Sequence, residues 1–127
     1  MLPAFLVPET TIDSTGSTEP IDLGQSAGKM LLLTLGILDV VEQESLDIAL
    51  WGSADGEDWG EDPIRTFPQK FYEGTYQILC PLDAQPDIRY LRVDWKVHRW
   101  GVGSTTPMFR VYLFAEPFAA YASRKTA

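Results

Sequence analysis

The sequence predicts an all-β chain, an antiparallel β-sandwich of jelly-roll type with about eight strands. Three observations carry that prediction. Within the candidate strands 46–51, 88–97 and 109–114 aliphatic or aromatic residues recur at every second position (46/48/50, 91/93/95/97 and 109/111/113), the signature of strands with one buried face. Short intervals rich in Gly, Pro, Ser, Thr and Asp separate the candidate strands. No segment shows the spacing of a long amphipathic helix.

Taken in order, residues 1–19 read as an extended N-terminal arm, apolar at Phe5, Leu6 and Val7 and punctuated by prolines. A short strand is expected at residues 21–23, followed by a loop at 24–28. Residues 30–38 suit either a buried helix or a strand covered on both faces. Gly36 in the middle of this run, and the strands around it, favour the strand. In the next strand Leu46, Ile48 and Leu50 alternate with Asp47, Ala49 and Trp51. A turn at 52–60 precedes candidate strands at 64–67 and 74–80, the latter placing Tyr76, Ile78 and Cys80 on one face. In the clearest strand Leu91, Val93, Trp95 and Val97 point one way, and Tyr90, Arg92, Asp94 and Lys96 the other. Phe109, Val111 and Leu113 mark the inward face of the last strand. The alanine-rich tail, about residues 117–127, is expected to fray. The whole, residues 1–127, reads as one domain.

Composition limits the function. The chain has 127 residues and a formal charge of −8, the wrong sign for sequence-independent binding to nucleic acid or docking on anionic lipid. A single cysteine excludes an intrachain disulfide. The first residues, with two prolines and an early acid but no basic leader, do not read as a signal peptide. The longest apolar run, 30–38, is too short to span a bilayer as a helix. A cytoplasmic location, or one within a particle assembled in the cytoplasm, is expected.

The most distinctive motif is Trp51-Gly-Ser-Ala-Asp-Gly-Glu-Asp-Trp-Gly60, a strand running into a tight Ser-x-Asp-Gly turn with a tryptophan three residues beyond. Arg89-Tyr90-Leu91-Arg92-Val93 follows at the head of a later strand. Together these resemble discoidin-type domains, jelly rolls with a galactose-binding-like fold, over roughly residues 46–97. They are also similar to small β-sandwich proteins of phage particles and small uncharacterised bacterial proteins that share the turn. The first resemblance implies a carbohydrate-binding module with its site near Trp51, Asp55, Trp59 and Trp100. The second implies a structural subunit.

Other features point less sharply to chemistry. Asp55, Glu57 and Asp58 offer oxygen ligands for calcium, although a solvated turn accounts for them more simply. The lone histidine, His98, has no nucleophile in a recognisable context beside it, and Cys80 falls on an inward strand face. Residues 24–29 are one residue short of a phosphate loop, with Met30 where Ser or Thr is needed. No enzymatic activity and no cofactor are expected. Arg92 and Lys96 share an outward face, available either to a neighbouring subunit or to cross-strand ion pairs. The expected function is therefore a non-enzymatic structural or accessory protein that self-assembles or decorates a larger assembly. Its contacts would run through Phe5, Leu6, Val7, Arg92 and Lys96, with carbohydrate binding as the alternative.

Overall fold

A computed structural model describes residues 2–40, 44–70, 72–99 and 108–118. Their strands are β1 (Ala4–Ile12), β2 (Gly16–Ser17), β3 (Ile21–Asp22), β4 (Met30–Val40), β5 (Glu44–Ser53), β6 (Arg65–Thr66), β7 (Gly74–Pro81), β8 (Tyr90–Arg99) and β9 (Phe109–Pro117). Single 3-10 turns at Gly24–Ser26 and Leu82–Ala84 are the helical elements among the described residues. None is long and apolar enough to cross a membrane.

Every pairing is antiparallel. The first sheet has the order β1-β9-β4-β7, and the second β2-β8-β5-β6 with β3 also on β8. Gly16 faces Trp95 and Ile21 faces Leu91, so β2 and β3 are two pieces of one strand running along β8. Counted that way, eight strands form two interlocked four-stranded sheets in jelly-roll order. The all-β sandwich expected from the alternation is what the chain forms.

The core lies between the sheets. From the first come Leu31, Leu33, Leu35, Ile37, Phe109, Val111 and Leu113; from the second come Leu46, Ile48, Leu50, Leu91 and Val93, all buried. Each such side chain contributes about 1.5–3 kcal/mol by leaving water. Leu23, before the first 3-10 turn, and Leu82, at the start of the second, lie at the end of the sandwich where β4 and β8 begin, and both are fully buried. Residues 30–38, ambiguous in sequence, lie within β4, where the odd-numbered leucines turn inward and Leu32 and Leu38 turn outward.

Residues 4–12 of the N-terminal segment form β1 along β9. Register shifts lie between Phe5 and Val7 and between Val7 and Thr10. The first lets consecutive Leu6 and Val7 both enter the core, each 5 % exposed, while Phe5 stays outside at 53 %. Trp95 is half-buried on the core side, its ring against Gly16 and its Nε1–H donating to the Ser14 carbonyl at 3.1 Å. Trp100, residues 101–107 and residues 119–127 of the tail lie outside the described residues.

Candidate functional site

Strand β5 ends at Ser53, which is buried and organises the turn beyond it. Its Oγ accepts from the backbone N–H of Asp55 at 3.2 Å and of Gly56 at 2.9 Å, and donates to Asp55 Oδ1 at 2.9 Å. Asp55 Oδ1 in turn accepts the N–H groups of Glu57 (2.8 Å) and Asp58 (2.9 Å). These bonds, led by the one from Asp58, hold the Asp55 carboxyl below its ordinary pKa. Gly56 takes φ of +82°, with the Tyr90 ring against its open side. The sequence needs Ser, Asp and Gly here because each satisfies a different backbone demand of one turn.

The turn returns Trp59 to the outer face of the second sheet. There Trp51 of β5 pairs with Arg92 of β8, both pointing away from the core. The Arg92 guanidinium carbon lies 5.3 Å from the Trp51 ring and 5.0 Å from the Trp59 ring. The same guanidinium holds Asp94 at two points, Nε to Oδ1 at 2.9 Å and a terminal nitrogen to Oδ2 at 3.2 Å. Arg92 is thus engaged within its own chain, by two indoles and a carboxylate. Among the described residues no hydrogen-bond acceptor meets the buried indole Nε1–H of Trp51.

Beside this stack runs a cleft of about 610 Å³. Its floor is the outer face of β5 and β8, with Asp47, Ala49 and Trp51 on one strand and Asp94, Lys96 and His98 on the other. Glu61, Pro63 and Thr66, on β6 and the segment before it, form a wall. Asp47 and Lys96 are cross-strand neighbours, and Gln69 Nε2 donates to Asp47 Oδ2 at 3.1 Å.

No family model matches this sequence, and no curated protein matches it.

The structure brings Trp51, Trp59 and Arg92 together and puts Lys96 four residues along the same strand, in the cleft. Asp55 sits apart from the cleft in the turn that positions Trp59. Of the calcium candidates, Asp55 spends one carboxylate oxygen on three hydrogen bonds, and Asp58 Oδ1 accepts the Gly60 N–H at 3.0 Å. Among the described residues no group of three or more His, Cys, Asp or Glu side chains is placed to hold a metal ion. His98 is exposed on β8, whereas Cys80 is buried on β7, where burial pushes its thiol up to about 11. Asp47, Ala49 and Thr66 do not stand out in the sequence as site residues; only the lateral register of β5, β6 and β8 makes them neighbours.

The opposite sheet has a different character. On its outer face Phe5 packs edge-on against Phe114 (5.0 Å between ring centres) and Tyr112 (5.7 Å). Leu32 pairs with Leu79 on the same face, and Leu79 is 39 % exposed. This sheet ends at β7, Gly-Thr-Tyr-Gln-Ile-Leu-Cys-Pro, which pairs with β4 over eight residues without a register shift. It carries no charged residue, and among the described residues no strand pairs with its outer side. The remaining edges are blunted: β1 by Pro8 and two register shifts, β2, β3 and β6 by being two residues long.

Proposed function

We propose that this protein is a non-enzymatic structural or accessory subunit that assembles by joining copies of itself along β7. The observation that carries this reading is the contrast among sheet edges. A long, regular edge strand with no charged residue of its own presents a row of backbone donors and acceptors that a further strand can complete. A second β7 is the favoured occupant. Antiparallel pairing of identical strands about a twofold axis is self-complementary, and chains with a net charge of −8 approach best through a segment without charge. The apolar outer face beside the edge, with Leu79 and Leu32, would extend the contact. Assembly in the cytoplasm is part of this reading.

Light scattering on a sizing column, over a range of protein concentrations, tests it. The wild-type chain is expected to run as a dimer that dissociates on dilution. A Thr75→Lys/Leu79→Lys variant, charged on the exposed side of β7, is expected to be monomeric with an unchanged circular dichroism spectrum. A wild-type monomer at every concentration would overturn the proposal, as would a variant that assembles equally well.

A further inference from the structure

The cleft on the second sheet carries an inference separate from assembly. We infer that it binds a neutral saccharide, laid along β5 and β8 beside Trp51, rather than at the tip of the Ser53 turn.

The geometry narrows the ligand class stepwise. A cleft of about 610 Å³ falls within the range of small-molecule sites, roughly 300–1,000 Å³. Its lining excludes a purely apolar ligand, because Asp47, Glu61, Asp94 and Lys96 would lose water without compensation. Charge separates the remaining classes. The three carboxylates stand against Lys96 in the cleft and Arg92 at its border, and Arg92 already neutralises Asp94. With the signs so nearly offset, neither an anion nor a strongly cationic ligand is favoured.

A neutral ligand with many hydroxyl groups suits what is left. Carboxylates accept hydrogen bonds from hydroxyls, and Lys96 donates to ring or hydroxyl oxygens; such charge-assisted bonds are among the stronger ones. Between these groups lies a small apolar strip, Ala49 and the edge of Trp51. A pyranose ring has the matching character, polar around its rim and apolar across its C–H face. The site is also braced from behind. Arg92 fixes Trp51 and Asp94 together, and Gln69 fixes Asp47, so the polar groups are held before a ligand arrives.

The cleft and β7 belong to different sheets, so occupancy of one leaves the other open. Two copies joined through β7 would present two clefts at once, which raises avidity even when each site is weak. Saccharide binding by a monomer would support this inference while the assembly proposal failed.

Two-dimensional NMR of the labelled wild-type chain tests it, with cello-, chito-, manno- and galacto-oligosaccharides each added to about 10 mM, above a weak dissociation constant of about 1 mM. At least one series is expected to give saturable shifts centred on Ala49, Trp51, Asp94 and Lys96. Asp47→Ala and the cleft-filling Thr66→Trp are each expected to weaken that binding at least about tenfold, with the remaining spectrum preserved. No saturable shift with any series overturns the inference. So do shifts confined to the Ser53 turn, or binding unaltered in both variants.

Discussion

Arg92 and Asp94, two residues apart on the outward face of β8, hold each other through paired contacts of 2.9 and 3.2 Å. The same guanidinium lies against Trp51 and Trp59, so one side chain ties β5, β8 and the turn between 53 and 59 together. Neither partner is fully exposed, at 25 % and 30 %, and solvent screens the pair less than a surface ion pair.

Arg92→Lys tests how far planarity matters. An ammonium keeps the charge but cannot form the two-point pair with Asp94 while lying flat against two rings. The variant is expected to lose about 1–2 kcal/mol, measured by urea denaturation. Its tryptophan emission is expected to shift to the red as Trp59 loses its cover. A stability equal to wild type would show that charge alone suffices.

Gly36 makes a steric prediction on the other sheet. The Tyr112 ring lies so close over this residue that a Cβ there would overlap it. Gly36→Ala is expected to cost about 1–3 kcal/mol through overpacking. Tyr112→Ala should relieve the clash, so that the double variant is more stable than the two single losses predict. A double-mutant cycle of denaturation midpoints measures that coupling.

These sites show what a linear reading can carry. Strands β5 and β8 were legible because each has one wetter face and one dry face, so alternation survives in the order of residues. That parity also put Trp51, Arg92 and Lys96 outward. Strand β4 was ambiguous because Leu32 and Leu38 are apolar on its outer face as well. Strand β1 does not show as a strand in the sequence for a physical reason: its register shift puts adjacent Leu6 and Val7 in the core and so breaks the period of two. The Ser53 turn was legible because its hydrogen bonds are local. The cleft was not, since Asp47 and Lys96 are 49 positions apart and become neighbours only through the pairing of β5 with β8. Nor was the open edge of β7, because strand order decides which strand is left at the end of a sheet.

The turn leads to a prediction in acid. Asp55 is held below its ordinary pKa in the folded chain, so the unfolded chain takes up its proton first as pH falls. The stability it contributes is therefore present above the unfolded value of 3.8 and is lost as pH drops through the lower folded value. Asp55→Asn keeps an oxygen acceptor but gives up the charge. It is expected to be less stable than wild type near neutrality and to converge with it in strong acid, as followed by urea midpoints across the acid range. A gap that stays constant with pH would show that the side chain acts by shape and not by charge.

Cys80 makes the corresponding prediction in base, with the opposite sign. It is 1 % exposed on the inner face of β7, and burial raises its thiol from 9.0 to about 11 against a smaller opposing effect of the Arg65 charge. The folded chain thus keeps this proton where the unfolded chain loses it. The contribution is whole below pH 9.0 and is lost as pH rises toward about 11, by no more than about 2–3 kcal/mol. Cys80→Ala opens a small cavity whose cost does not depend on pH, so the slope is the informative quantity. The alkaline decline of wild type is expected to be steeper than that of the variant. The native thiol should also resist a disulfide reagent at mildly alkaline pH and react promptly once urea unfolds the chain. Fast reaction in the native state would mean that β7 opens readily from β4. Slow reaction would mean that β7 holds firmly to β4.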